Sequence, residues 1–437
     1  MQNLQKVAIS GLFDRHDLEL DLTIKPLFLV GPNGTGKSTA LTIVHCILSA
    51  QWWRLTRLPF SSVCCVFDGT PFEYDKQDFE VLARLKSSIL PVGISRKPPR
   101  LPDDFDVASR QFRRLINSDK FIGDHMEARY TEISLLFNYS ENTIRDQVLY
   151  YPTYRRIERD LSELFEIDDE FGPPIDFDSG IKHRFESYGE VIGFGGQDIR
   201  TLLENATAKI ENSARQILNE HSVKFLDVLN KSEKFLSDDR KRSISEPKKI
   251  ERLADKINQF APGAINTESL KGNLNSLREK INKGSAGRLK AREEITVYYV
   301  SELFNVLQQI DELSKPLTEF CTKVTSYLKP TKQAALNEKE LSINIRHMDG
   351  TEVNLEGLSS GEKQVLSLFA FLMFSNQPRG RILILDEPEL SLSVSWQKRL
   401  VHDILSTNRP DIFIAATHSP FIFERFSLTN VMSLGEL

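Results

Sequence analysis

The stretch Gly31–Ser38, GPNGTGKS, places a glycine, four residues, then glycine, lysine and serine in succession. That spacing suits capture of a polyphosphate. Gly31, Gly34 and Gly36 let the backbone fold tightly enough to aim successive N–H groups at one point. Lys37 offers a cation to the outer phosphates and Ser38 a hydroxyl to Mg²⁺. The residues read as contacting the phosphates are Asn33, Gly34, Thr35, Gly36, Lys37, Ser38 and Thr39. Such a loop needs a strand before it and a helix after it, because the helix N-terminus adds free N–H groups and a positive dipole end. Both patterns are present: Leu27, Phe28, Leu29 and Val30 form a short apolar run, and an apolar-rich segment extends from the loop to Leu48.

A second chemical centre is RILILDEPE, Arg381 to Glu389, an apolar strand pattern ending in adjacent acids. Asp386 at the strand end can hold Mg²⁺ opposite Ser38, and Glu387 can polarise an attacking water. Buried neighbouring carboxylates are costly unless a metal or a basic group neutralises them. A third centre, LSSGEKQ from Leu358 to Gln364, precedes the apolar helix pattern Val365 to Phe374. Ser359 and the N–H groups around Ser360 and Gly361 would crown that helix, making a second anion site. One triphosphate does not need two helix ends from one chain. The simplest resolution is that the second helix faces the nucleotide of another copy. His418 follows a further apolar strand, Ile412 to Ala416.

The elements that position these groups are legible in the patterning. Gln5 to Ile9 and Leu18 to Leu22 alternate apolar and polar residues and read as a hairpin. Val63 to Phe67 and Pro71 to Tyr74 flank Asp68-Gly69, and Leu341 to Ile345 and Val353 to Leu355 flank Asp349-Gly350, each a hairpin signal. Ile133 to Phe137 and Val148 to Tyr151 read as strands. The second runs into Thr153, Tyr154, Arg155 and Arg156, which reach either a nucleotide or the acids Glu158, Asp160 and Glu166 to Glu170. From Gly193 helical spacing takes over, with Leu203, Ile210, Ala214, Ile217, Phe225 and Leu229 on one face. A charged linker, Lys231 to Lys249, separates this from helical patterns over Ile250 to Phe260, Leu270 to Ile281 and Ile295 to Leu328. In the last, Ile295, Tyr299, Leu303, Leu307, Ile310, Leu313, Leu317 and Val324 mark one face. No heptad register persists long enough for an extended coiled coil. The expected organisation is residues 1–198 and 336–437 as two parts of one α/β head, with 199–335 as a helical insertion.

The 437 residues leave room for two or three domains. A net charge of -5 argues against whole-surface binding to nucleic acid, although SRKPPRLPDD with Arg110, Arg113 and Arg114 forms a local basic segment. No apolar stretch reaches the roughly 20 residues of a membrane helix. Cys46, Cys64, Cys65 and Cys321 form no C-x-x-C pair and are too few for a disulfide framework, so a reducing cytoplasm is expected.

Together the phosphate loop, LSSGE, LDEPE and THSP resemble the ordered motifs of ABC-type ATPases, a P-loop fold with a mixed α/β sheet and an antiparallel region. The resemblance implies ATP and Mg²⁺ as cofactors, Ser38 and Asp386 on the metal, and Glu387 and His418 as catalytic groups. It also implies that Ser359 and Gly361 meet the nucleotide of a partner copy, and that Ser391 to Ser393 match the D-loop. The family's Q-loop glutamine has two candidates, Gln147 and Gln197. Motifs at both ends with helices between them are similar to SMC, RecF-like and OLD-like ATPases rather than transporter subunits. SSGEKQ and LDEPELSL resemble stand-alone ATPases of bacterial antiphage systems, and YPTYRRIE with FGGQDI resembles the AriA type of PARIS or the PtuA type of Septu.

That resemblance implies a homo-oligomer that restrains or activates a separate effector nuclease of TOPRIM or HNH type, under a phage-encoded trigger, with no membrane. After His418 too few residues remain for a TOPRIM domain, and HNH spacing of histidines is absent, so no nuclease is expected in this chain. The competing expectation is a DNA-repair clamp that binds DNA across closed heads, through Arg96, Arg100, Arg113 and Arg114. A transporter ATPase is a third.

Overall fold

A computed structural model describes residues 4–89, 129, 131–144, 147–152, 196–229, 252, 255, 267–282, 290–337, 342–374 and 381–435. The chain divides into two compact units: Met1–Asp198 with Ser359–Leu437, and Ile199–Leu358.

The first unit is built on two sheets. Strand β1 (Leu4–Leu12) pairs antiparallel with β2 (His16–Asp21) and with β4 (Ser62–Phe67), and β4 pairs with β5 (Thr70–Asp75). Both expected hairpins are therefore present, and they share one four-stranded sheet in the order β2-β1-β4-β5. The β4–β5 turn uses Asp68 at φ 47° and Gly69 at φ 82°, the left-handed pair that matches strand twist in a two-residue loop. One face of this sheet is apolar: Val7, Ile9, Leu20, Val63 and Cys65 are fully buried.

The second sheet is parallel throughout. Its order is β12-β3-β11-β10-β6, formed by β3 (Leu27–Val30), β6 (Val148–Tyr151), β10 (Ile382–Asp386), β11 (Ile412–Thr417) and β12 (Val431–Ser433). Strands covered on both faces read as unbroken apolar runs, and Ile382 to Asp386 are buried without exception. Phe28 packs its ring against Phe413, Phe423 and Phe426, with centroids 6.1, 6.0 and 5.2 Å away. On the other face, helix α1 (Lys37–Leu48) buries Ala40, Leu41, Val44, Cys46, Ile47 and Leu48 in one core with Leu27, Leu29, Ile384 and Ile414. Two further helices follow it, α2 (Trp52–Leu55) and α3 (Lys76–Ile89).

One expected strand is a helix. Residues 131–137 are helical and continue into a π-helical turn, Asn138–Ile144. Ile133, Leu136, Phe137, Tyr139 and Ser140 are buried, a set that includes the three-to-four spacing Ile133, Leu136, Phe137 and Ser140, which a strand cannot bury on one face. The local run ISLLF is apolar in both readings; burial of every third or fourth residue decided between them.

The second unit holds α4 (Gly196–Leu229) from Ile199 onward, α5 (Thr267–Asn282) and α6 (Ala291–Leu328), with a three-stranded sheet. That sheet joins the expected hairpin β8 (Ser342–His347) and β9 (Glu352–Val353) to β7 (Lys332–Asn337), a strand the patterning did not suggest. Leu274, Leu277, Val297, Val300, Leu303 and Leu307 form one apolar cluster, and Ala214, Val306 and Ile310 another. On α6 the buried face begins at Val297 and Val300 rather than at Ile295 and Tyr299, which are half-buried.

Thr153 to Arg156, the basic segment with Arg96, Arg100, Arg110, Arg113 and Arg114, the linker Lys231 to Lys249 and most of Ile250 to Phe260 lie outside the described residues. Among the described residues no helix is long and apolar enough to cross a membrane.

Candidate nucleotide site

In a parallel sheet, ligands gather where strands end at their carboxyl side and the chain turns away. Here β3, β11 and β10 are adjacent, with Val30 opposite Thr417 and Ala416 opposite Asp386. The phosphate loop, the residue before His418 and the acidic pair therefore leave the sheet at one edge.

The loop's glycines serve different needs. Strand β12 runs beside β3, and Leu434 donates its N–H to the Val30 carbonyl at 2.7 Å. A Cβ on Gly31 would stand 2.1 Å from the Leu434 carbonyl oxygen, so only glycine admits that approach. At Gly34, with φ 81° and nothing within 4 Å, the requirement is backbone conformation alone. Asn33 and Gly34 are exposed at the tip, and Thr35 caps the turn through its hydroxyl to the Pro32 carbonyl at 2.9 Å.

Lys37 is 5% exposed and donates from Nζ to the carbonyls of Gly31 and Pro32, both at 2.8 Å. Its ammonium thus lies back along the loop. Burial lowers its pKa, and the nearby carboxylates of Glu387, Asp386 and Glu389 oppose that shift. Next to it, Ser38 donates its hydroxyl to Asp386 Oδ1 at 3.0 Å. Thr39 is half-buried in the same first turn of α1.

Asp386 is 2% exposed at the end of β10. Glu387 follows in a left-handed conformation, φ 48°, with its N–H bonded to the Ala416 carbonyl at 2.9 Å. This kink turns its side chain to within 3.9 Å of His418, measured Oε1 to Nε2. The expected base and the expected histidine are therefore neighbours.

Glu389 was not among the expected site residues. Its Oε1 accepts from the backbone N–H of His418 at 2.7 Å and of Ser419 at 3.2 Å. The third acid of DEPE was its only signal in the sequence, and nothing local showed that it reaches the neighbouring strand's turn.

The LSSGE segment forms a reciprocal cap on α7 (Ser360–Phe374). The Ser359 N–H donates to Glu362 Oε2 at 2.8 Å, and the Glu362 N–H returns to Ser359 Oγ at 3.3 Å. Ser360 donates to the Ser391 hydroxyl at 3.1 Å, and Gln364 Nε2 to the Pro388 carbonyl at 2.8 Å. A Cβ on Gly361 would lie 2.4 Å from the Ser391 carbonyl oxygen. The start of α7 is thus pressed onto the Pro388–Ser391 turn, while Ser359 itself is exposed. Among the described residues no hydrogen bond joins Ser359 to residues 31–39. Of the two glutamines, Gln147 sits in the turn before edge strand β6, and Gln197 lies in the first turn of α4.

The donors fit Mg²⁺. They are a hydroxyl and a carboxylate, hard oxygens already in contact, on a buried strand end that a cation would neutralise. Among the described residues no group of three or more His, Cys, Asp or Glu could hold a metal by itself. The protein would supply two oxygens and leave the rest of the shell to phosphates and water, the usual arrangement for this ion.

A family model described as "AAA domain, putative AbiEii toxin, Type IV TA system" matches residues 27–424. Among solved structures, the chain is similar to the Smc head domain with an extended coiled coil from Pyrococcus furiosus, bound there to the C-terminal domain of ScpA. Identity is 13%, coverage 99% of this chain and 93% of that one, and the TM-score 0.35. It is also similar to the Smc head domain with a coiled coil and joint from Pyrococcus yayanosii, at 14% identity, 99% and 95% coverage and a TM-score of 0.32. No curated protein matches the sequence.

Proposed function

The chain belongs to the AAA-domain family matched over residues 27–424, and from that premise we propose an ATPase that closes on ATP between two copies of itself to control a separate effector of antiphage defence. The observation that carries the chemistry is the Ser38–Asp386 contact, with Lys37, Glu387 and His418 at the same sheet edge.

Bound Mg²⁺ would neutralise charge on the outer phosphates and orient them. The protein's own groups do the remainder. The N–H groups of residues 33–39 receive the phosphate oxygens, and Lys37 leaves the Gly31 and Pro32 carbonyls to pair with them. Glu387 accepts a proton from the attacking water, and His418 beside it donates to the terminal phosphate. Ser359, capped and exposed, presents the N-terminus of α7 to the nucleotide of the second copy.

The defence assignment draws on the SSGEKQ and LDEPELSL strings and on a family description that names a toxin–antitoxin system. In this reading the partner is a nuclease of TOPRIM or HNH type, held or released as the heads open and close.

Glu387→Gln tests the chemistry. Nucleotide binding should persist while steady-state hydrolysis falls about 10²- to 10⁴-fold, the span for loss of a general base. Hydrolysis at the wild-type rate would remove Glu387 from the role.

A further inference from the structure

We infer that Glu389 is a positioning residue that sets His418 for the terminal phosphate by gripping two consecutive main-chain N–H groups of the turn that follows β11. The inference rests on the proposed nucleotide site and extends it to the last acid of LDEPE, which was given no role above.

Glu389 Oε1 accepts from the N–H of both His418 and Ser419, at 2.7 and 3.2 Å. Those donors lie just past the strand's last residue, Thr417, where sheet bonding ends. Backbone bonds to a carboxylate are stronger than neutral ones, so the turn is tied to the DEPE segment rather than left to water. Ser419 is held from a second side: its hydroxyl donates to Gln397 Oε1 at 2.6 Å, and Gln397 Nε2 donates to the Leu392 carbonyl at 2.9 Å. His418, between these anchors, keeps its ring 34% exposed and 3.9 Å from Glu387.

The other oxygen, Glu389 Oε2, is buried and accepts no hydrogen bond among the described residues. A carboxylate placed for solvation or surface charge would not hide one oxygen in this way. Pro388, next to it, takes the Gln364 amide of α7. The segment that grips the histidine turn therefore also carries a bond from the helix proposed to face the second copy.

Glu389→Gln and Glu389→Ala separate geometry from charge. Glutamine keeps a carbonyl acceptor for the two N–H groups and loses the charge that Lys37 senses; alanine loses both. In the full-length protein, Glu389→Ala should lower single-turnover hydrolysis about 10- to 100-fold, the scale of a misplaced catalytic group, with nucleotide affinity unchanged. Glu389→Gln should restore most of that loss. In a His418→Ala background, Glu389→Ala should add less than about a twofold effect, because the two act through one group.

Hydrogen exchange reads the grip without any turnover. A peptide spanning residues 412–422 should exchange faster in Glu389→Ala and at the wild-type rate in Glu389→Gln. Equal losses in the two variants, additive losses with His418→Ala, or unchanged exchange in Glu389→Ala would each overturn the inference. Absence of ATP hydrolysis by the wild-type chain would count against the proposed function instead, and the exchange result would still decide on Glu389.

Discussion

Ser38 and Asp386, 348 residues apart in the chain, meet in a hydrogen bond of 3.0 Å at the edge of the parallel sheet. The bond spans almost the whole family match, so the end portions of the chain must fold together before the two residues can meet. It also shows why the acid is tolerated: Asp386 is 2% exposed, with a hydroxyl against it and a lysine ammonium close enough to be felt.

If that pair holds Mg²⁺, both of its members should be felt in metal dependence. Ser38→Ala and Asp386→Asn should each raise the Mg²⁺ concentration for half-maximal hydrolysis about 10- to 100-fold. Titration of Mg²⁺ at saturating ATP checks this. An unchanged midpoint in both variants would place the metal elsewhere.

Lys37 should couple nucleotide binding to protons. Burial depresses its pKa below the ordinary 10.5 in the free protein, and a polyphosphate would raise it again. Below the depressed value the group is charged both free and bound, and no proton moves. Above it the free protein is neutral there and the complex is charged, so binding takes up a proton. For folding alone, the unfolded chain binds more protons between the depressed value and 10.5, so this group's burial cost eases as pH rises through that window. Calorimetric titration with ATP in buffers of different ionisation enthalpy should show uptake that grows toward alkaline pH. Lys37→Arg should abolish it, and uptake that persists in that variant would assign the proton to another group.

Much of this site is legible in the sequence because its signals are local. The glycine spacing, the apolar run before it and the acids ending an apolar strand each sit within a few residues, and Asp68-Gly69 turns its hairpin as its composition requires. Long-range pairing is not legible in the same way. Nothing in Leu4–Leu12 or Ser62–Phe67 announces that they pair, and the order β12-β3-β11-β10-β6 emerges only from packing. Residues 131–137 carried an apolar run compatible with either period, and tertiary burial chose the helix. Glu389 escaped notice because its partners are two backbone groups on another strand's turn.

The glycines of the phosphate loop should differ in what they tolerate. Gly34→Ala should cost the free protein only the about 1–2 kcal/mol of left-handed backbone for a residue with a Cβ. Gly31→Ala should cost about 1–3 kcal/mol more, since its Cβ would collide with the Leu434 carbonyl rather than a side chain that can turn away. Urea denaturation of both variants without nucleotide measures the difference. Equal midpoints would mean that β12 yields freely.

The measurement closest to the central claim is the solution mass of Glu387→Gln with and without Mg²⁺ and ATP. The account expects one chain's 49.9 kDa without nucleotide to double with it. The doubling should disappear when Ser359→Arg is added, with ATP binding to each chain retained. A mass unaffected by ATP, or a doubling indifferent to Ser359→Arg, would contradict the shared site.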